Sequence, residues 1–532
     1  MINKVASFKN NEVYKKDYKN GSSKSQQQNP NFKGLIEGTT AVLQYCNTNP
    51  MAGVSLIDMA TAILPRTYVD AKTNGFAAAE TFRRESSGLI VNCLIPGFVV
   101  LGVAKLMEQF NKGTKGFSKM WANQDALETL RDHYKQSDGS AKGYISRLFE
   151  DAEVLNGKKW VKLVPETLET ELSEYTKVIE DKAATSKQIE TARNALYNKI
   201  LKATGGAEHI KIHGKIYHDN MSTMLRDSVD VGRKFINDLG KNPAKIDEFV
   251  NKATKFVNKK SLIGLAIVLP LAASMQSINR WITHKRSGEQ GAPIYKSFGK
   301  GRKDEEMNAS QKSAFWTKKI GAAALMVGVA VLSMMKKPSL KMLQFTKSMP
   351  SMDQCRWIAT STFASRMLAA EDNNELHEVT WRDIATFSSL YFLGDYVSKG
   401  VGTIMQKVKG VPLLNYMKER PETKNPLKKF AYWVKDTKLK SFDEANAIKE
   451  IKGQQIGGAK AKGLRAICEV SSLGFSMLIL GILVPWYVRK ETERKEQMKL
   501  KDKMNDFHFT PSMPTTSNKK TFQAFGMMLD KK

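Results

Sequence analysis

Cysteine is scarce in this chain. Cys46, Cys93, Cys355 and Cys468 are the only four, they lie far apart, and no two have the spacing of metal ligands. A disulfide framework and a paired-cysteine zinc motif are both excluded on that count. Acidic residues are short as well: 53 Asp and Glu stand against 83 Lys and Arg, a formal net charge of +30. Such a balance suits phosphate-bearing partners, nucleic acid or anionic lipid. There is no GxxxxGK[ST] loop, dinucleotide fingerprint, nucleophile elbow, HExxH or kinase signature. Nucleotide hydrolysis and the common hydrolytic chemistries therefore have no motif to rest on, and a non-enzymatic protein without a cofactor is expected. Basic residues are not interleaved with stacking aromatics either, which turns the charge argument away from nucleic acid and towards lipid.

What the chain does have is long uncharged runs. Residues 470–488, VSSLGFSMLILGILVPWYV, lie between Glu469 and the pair Arg489 and Lys490. At ~1.5 Å per residue the run is about 28 Å long, close to the ~30 Å hydrocarbon core of a bilayer. Trp486 and Tyr487 stand at its basic end, at the level where amphipathic rings meet headgroups. Residues 86–104, 261–279 and 320–335 are three more such runs. The last is short, but Lys318, Lys319, Lys336 and Lys337 can snorkel from its ends. The fold class expected is mainly α, a multi-pass helical membrane protein of about four spans with two largely helical soluble loop domains. Pro96-Gly97 should kink the first span, and Asn92, its most polar group, should face another helix through an interhelix hydrogen bond.

Between the spans the text changes. Residues 1–34 read as a disordered basic tail without the apolar core of a signal peptide, and 35–85 as amphipathic helices. Residues 105–260 read as a soluble helical domain: Leu168, Leu172, Tyr175 and Ile179 form a helical stripe, and Gly205-Gly206 and Gly240 stop helices. Residues 280–319 are a basic connector. Residues 336–469 are a mixed helical domain, partly membrane-associated, and 489–532 a basic helix and tail. Three of the seven histidines, His209, His213 and His218, cluster around a hairpin turning near Gly214, where they offer a metal site with Glu208 or Asp219. The acidic stretch Glu371, Asp372, Glu375, Glu378 reads as a solvated loop.

Ser55 with Asp58, and Thr380 with Asp383, have the spacing of helix N-caps, each inside a hydrophobic staple pair. The text Asp58-Met-Ala-Thr61 returns as Asp383-Ile-Ala-Thr386, with Asp70 and Asp395 equally far downstream. A duplication and two convergent caps both account for this. The uncharged runs hold no charged residue, which speaks against a coupling site for transport. The expected function is accordingly an integral membrane scaffold or tether. Its basic juxtamembrane surfaces would touch anionic lipid or an acidic protein partner, and a transporter or channel is the alternative. The ten basic residues of the connector place it, and both termini, on the cytoplasmic side.

Overall fold

The computed structural model describes residues 38–488, except 47–49, 73, 157–158, 164–167, 218–219, 289–307, 335–339, 418–423, 449, 452–453 and 456–457, and isolated positions up to 498. The chain is mainly helical. Four helices are long and apolar enough to cross a membrane: Gly75–Phe110, Pro243–Ser287, Ala309–Met334 and Gly458–Val488. Each covers one of the uncharged runs, up to Met334 in the third, and begins before it.

The bundle begins with α1 (Pro50–Asp58) and α2 (Leu64–Ala71), joined through one π-helical turn at Met59–Ile63. Pro50 suits a first helical turn, since its missing N–H would be unpaired there. Then α3 (Gly75–Leu89) and α4 (Ile95–Phe110) form one apolar helix with a second π turn at Ile90–Leu94. Asn74 caps α3 by accepting from the Ala77 N–H at 2.7 Å.

Residues from Ala104 to Phe256 share one hydrophobic core and build the domain that the sequence marks as soluble, called the soluble domain for that reason. It comprises α5 (Gln124–Gln136), α6 (Ala141–Glu150), β1 (Ala152–Asn156), β2 (Lys159–Lys162), α7 (Glu169–Glu180), α8 (Ser186–Ala203), β3 (Ile210–Ile212), β4 (Lys215–Ile216) and α9 (Met221–Lys234). Leu168, Tyr175 and Ile179 are buried, with Leu172 packed against them, and Gly205, Gly206 and Gly240 all have positive φ. Four strands, order β2-β1-β3-β4, form a small antiparallel sheet in which Val154 faces both Val161 and Ile210. The β3–β4 hairpin turns through His213 and Gly214, whose φ angles are 49° and 72°.

Helix α10 (Pro243–Ser287) leaves this core and enters the bundle antiparallel to α3–α4. Gly264 meets Val100, where any Cβ would overlap the valine side chain. At the other end Asn279 Nδ2 donates to Ser87 Oγ at 3.0 Å. Helix α11 (Ala309–Met334) returns, and α12 (Met352–Ala369), α13 (Asn373–Ser388) and α14 (Gly394–Lys409) fill the interior, the last two joined by a π turn at Ser389–Leu393. A small cap follows, made of β5 (Leu414–Tyr416), α15 (Pro426–Asp436), β6 (Thr437–Leu439) and α16 (Phe442–Asn446). It touches the soluble domain where Gly206 packs on Glu444. Finally α17 (Gly458–Ser476) continues through a π stretch, Met477–Leu483, to Val488.

Two ends of the bundle can be distinguished. The domain end holds the soluble domain and the cap; Gln44 (bonded to Asp443 at 3.1 Å) and Met51 (beside Cys355) lie there too. The far end holds the termini of α2, α10 and α17 and the start of α11. There Lys72 lies over Tyr68, Lys285 over Trp281, Lys319 over Trp316 and Lys490 over Trp486, at 4.8, 5.4, 4.9 and 5.0 Å from the ring centres.

Two groups of expected features are corrected by this arrangement. Ser55 and Thr380 are not N-caps: each sits inside its helix, α1 or α13, and Thr380 Oγ1 bonds back to Leu376 O at 2.6 Å. The cap of α13 is Asp372, which accepts from the N–H groups of Asn374 and Glu375. Asp58 ends α1 where the π turn begins, and Asp383 is buried within α13, so neither serves a helix start. The acidic stretch is likewise no solvated loop, because Glu375 and Glu378 are buried on α13.

Candidate functional site

Beside its apolar clusters the bundle interior contains a polar stretch, while its outer surface is apolar. On α3 the buried face carries Glu80, Thr81, Arg84, Glu85 and Gly88, spaced three or four apart as one helical stripe demands. Phe76, Phe82, Ile90, Leu94 and Phe98 point outwards. Helices α12 and α13 repeat the pattern, burying Arg366, Glu378, Arg382 and Asp383 while Leu368 and Trp381 stay exposed. In water such a helix would turn over. An apolar exterior of this kind suits a hydrocarbon surrounding, and burying the charges requires partners for them.

Those partners are one another. Glu85 faces three guanidinium groups: Arg84 at 3.1 Å, Arg366 at 3.4 Å and Arg66 of α2 at 3.5 Å. Arg366 bridges onward to Asp383 at 3.4 Å. Arg382 then joins Asp383 at 3.5 Å and Glu378 at 3.4 Å. Arg66 also donates to Thr386 Oγ1 at 2.8 Å, and Thr81 to Asp70 at 2.6 Å. A second node stands one turn further out. Arg280 of α10 lies 2.5 Å from Glu375 and 3.4 Å from both Glu80 and Glu371. Some capacity is unspent: Arg66 Nε and Asp383 Oδ2 are buried and make no hydrogen bond.

At the domain end a cavity of about 820 Å³ opens between α8 and α9 of the soluble domain, the cap, and helices α1, α14 and α17. Its walls carry both signs of charge, among them Arg193, Arg226, Lys399, Glu208, Asp395 and Glu469. Burial, then the nearby Glu444 and Asp443 carboxylates, push Glu208 up to about 7. Burial and the ammonium of Lys438 push His209 down to about 4, so the ring is neutral at physiological pH. The deep end is lined by Gly53, Ile57, Ser389, Gly394, Ser472 and Ser476. Gly394 approaches Ser472 so closely that a Cβ would stand 2.7 Å from its Oγ. Ile57 precedes Asp58, and the π turns of α1–α2, α13–α14 and α17 all border this seam. A π turn shifts the phase of a helix locally, and such turns collect at functional sites.

Asn92 is buried in the first π-turned helix and accepts from Thr362 Oγ1 at 2.9 Å, an interhelix bond. Of the three clustered histidines, His209 lines the cavity and His213 occupies the hairpin turn. His218 and Asp219 lie outside the described residues. His213 is brought to His133 and Asp151, not to His209. The residues that sequence reasoning missed are the buried arginines and their acids. Their signal was present in the text Arg83-Arg84-Glu85 beside one apolar run and Trp381-Arg382-Asp383 between two others. Charges at helical spacing, with aromatics on the opposite face, mark an interior helix of a membrane bundle. No family model matches the chain, and comparisons with curated proteins and with solved structures find no match either.

Proposed function

We propose that this chain is an integral membrane protein that passes a small polar solute, with the cavity at the domain end as its entrance and the ion-pair core as its barrier. One observation carries the reading. A cavity of about 820 Å³ runs onto a Ser- and Gly-lined seam, and its Ser389 follows the buried, paired Asp383 by six residues along the same helix. Ionisable residues inside a bundle are expensive, and a solute pathway is the usual reason they are kept. Helices α1–α2 and α13–α14 share the Asp-x-Ala-Thr text and run in opposite directions, which supports an inverted repeat around the seam. A membrane scaffold or tether is the second reading. It is favoured by the four exposed aromatic–lysine pairs at the far end, which suit an anionic leaflet.

The same pairs, with the basic connector, favour a reading in which the far end faces the cytoplasm. The domain end, with the segment before Pro50, then lies opposite, and the chain crosses an odd number of times. This reading differs from the sequence-based expectation of both termini on the cytoplasmic side. Two measurements test the proposal. In a Cys46→Ser background, single cysteines at Gly38 and Ser186 should react with an impermeant maleimide from one side, and at Ser287 and Lys490 from the other. A cysteine at Ser472 should react from the domain side. In proteoliposomes, potassium, chloride and a mixture of amino acids serve as flux probes, and Ser476→Trp should abolish whatever flux the native chain supports. An unreactive Ser472→Cys, or flux of none of the probes, would leave the tether reading in its place.

A further inference from the structure

We propose that His133, Asp151 and His213 form a binding site in the soluble domain for one divalent transition metal of the zinc class. The three residues come from three elements: the last turn of α5, the residue after α6, and the tip of the β3–β4 hairpin. Asp151 Oδ2 lies 3.2 Å from His133 Nε2 and 3.5 Å from His213 Nε2. Zinc–nitrogen and zinc–oxygen bonds of ~2.0–2.1 Å at the tetrahedral angle place neighbouring ligand atoms ~3.3 Å apart. Two edges of a tetrahedral site are thus already formed. The third lies within 4.8 Å, and closing it asks only for movement of His213, whose side chain is half exposed.

The protonation pattern points the same way. His133 Nδ1 lies 2.7 Å from the carbonyl oxygen of Thr129, which can only accept, so Nδ1 carries the hydrogen. That contact holds the ring and turns Nε2 inwards, as the outer hydrogen bond of a metal-bound imidazole does. His133 is wholly buried, and neither its Nε2 nor Asp151 Oδ2 makes a hydrogen bond. Nε2 and Asp151 Oδ2 thus face each other at 3.2 Å, the separation of two ligand atoms on one metal ion. A competing cation is Arg147, whose Nε is 4.0 Å from the same oxygen and whose Nη1 turns to Glu150 at 3.4 Å. Three protein ligands beside a half-exposed ring leave the fourth position to water. The proposal stands apart from the transport reading, since the site belongs to the soluble domain and its hairpin.

The test uses the full chain in detergent, stripped with chelator and titrated with zinc, and with cobalt for its tetrahedral visible spectrum. One equivalent of each should bind, with the intense absorption of four-coordinate cobalt. His213→Gln and Asp151→Asn change partly exposed groups and should each weaken zinc at least about 100-fold while the circular dichroism spectrum is retained. His133→Ala, which empties a buried position, is informative only beside those two. His209→Gln should leave affinity within twofold. Absence of a stoichiometric site in the native chain overturns the proposal, and so does native affinity in both His213→Gln and Asp151→Asn.

Discussion

Replacing Glu85 by Gln keeps the shape of the side chain and removes the one negative charge shared by Arg84, Arg66 and Arg366. At an effective dielectric of ~20, each contact at 3.1–3.5 Å is worth roughly 5 kcal/mol of Coulomb attraction, most of it offset by desolvation. Removing a single partner restores no hydration to the others. The expected net cost is therefore that of orphaning a buried charge, about 3–5 kcal/mol. The measurement is the free energy of unfolding by dodecyl sulfate in mixed micelles. Glu190→Gln, on an exposed face of α8, serves as control and should stay within about 0.5 kcal/mol. Adding Arg366→Met to Glu85→Gln removes one of the stranded cations, and the pair should be coupled by about 0.5–3 kcal/mol. A Glu85→Gln variant indistinguishable from the control, or a strictly additive double variant, would refute the shared network.

Glu208 gives a pH dependence of defined sign. Its ordinary value of 4.5 is raised to about 7 in the folded chain, so the folded state holds the proton more tightly. The stability this lends is complete below about pH 4.5 and lost as pH rises through 7. Glu208→Gln should raise the melting temperature at pH 8, leave it nearly unchanged at pH 4.5, and so shrink the difference; an unaltered difference refutes the assignment. Helix starts can be checked directly. Asp372→Ala and Ser351→Ala, the latter breaking the capping box with Gln354, should each cost about 0.5–2 kcal/mol in the same unfolding assay. Ser55→Ala and Thr380→Ala should change little, and a larger loss there would contradict their mid-helix placement.

The four apolar helices were legible because a bilayer asks for length and an absence of charge, and residues 86–104, 261–279, 320–335 and 470–488 meet both demands. Helices α1–α2, α12 and α13–α14 escaped the same reading. Their apolar residues are diluted by Arg66, Arg366, Arg382, Asp383 and Glu378, and only neighbouring helices make such groups tolerable. The misplaced caps share that origin. Ser55 and Asp58, like Thr380 and Asp383, have the cap spacing of three, but three is also the spacing of neighbours on one helical face. A polar pair at that separation signals a helix start only when its helix faces water. In the soluble domain the ordinary rules held, as the Leu168–Ile179 stripe and the stop at Gly240 illustrate. His133 could not be joined to His213 from the text, because 80 positions and a sheet lie between them.

Helix α10 has a mechanical consequence. It is 45 residues long and takes part in two cores, with Phe249, Ala253 and Phe256 in the soluble domain and Leu265, Val268 and Ala272 in the bundle. At ~1.5 Å per residue it is a rod of about 68 Å. Its middle is clamped. Lys260 is buried, donates to Met120 O at 2.7 Å and lies over the Trp121 ring, while Ser261 Oγ accepts from Phe345 N at 3.0 Å. A joint there would have to break these contacts, so a tilt of the domain is carried into the bundle half of the helix as far as Pro270, where the internal proline removes one backbone hydrogen bond before Arg280 is reached. The domain core and the bundle therefore share one backbone, and the hinge available between the clamp and the outer ion-pair node is Pro270.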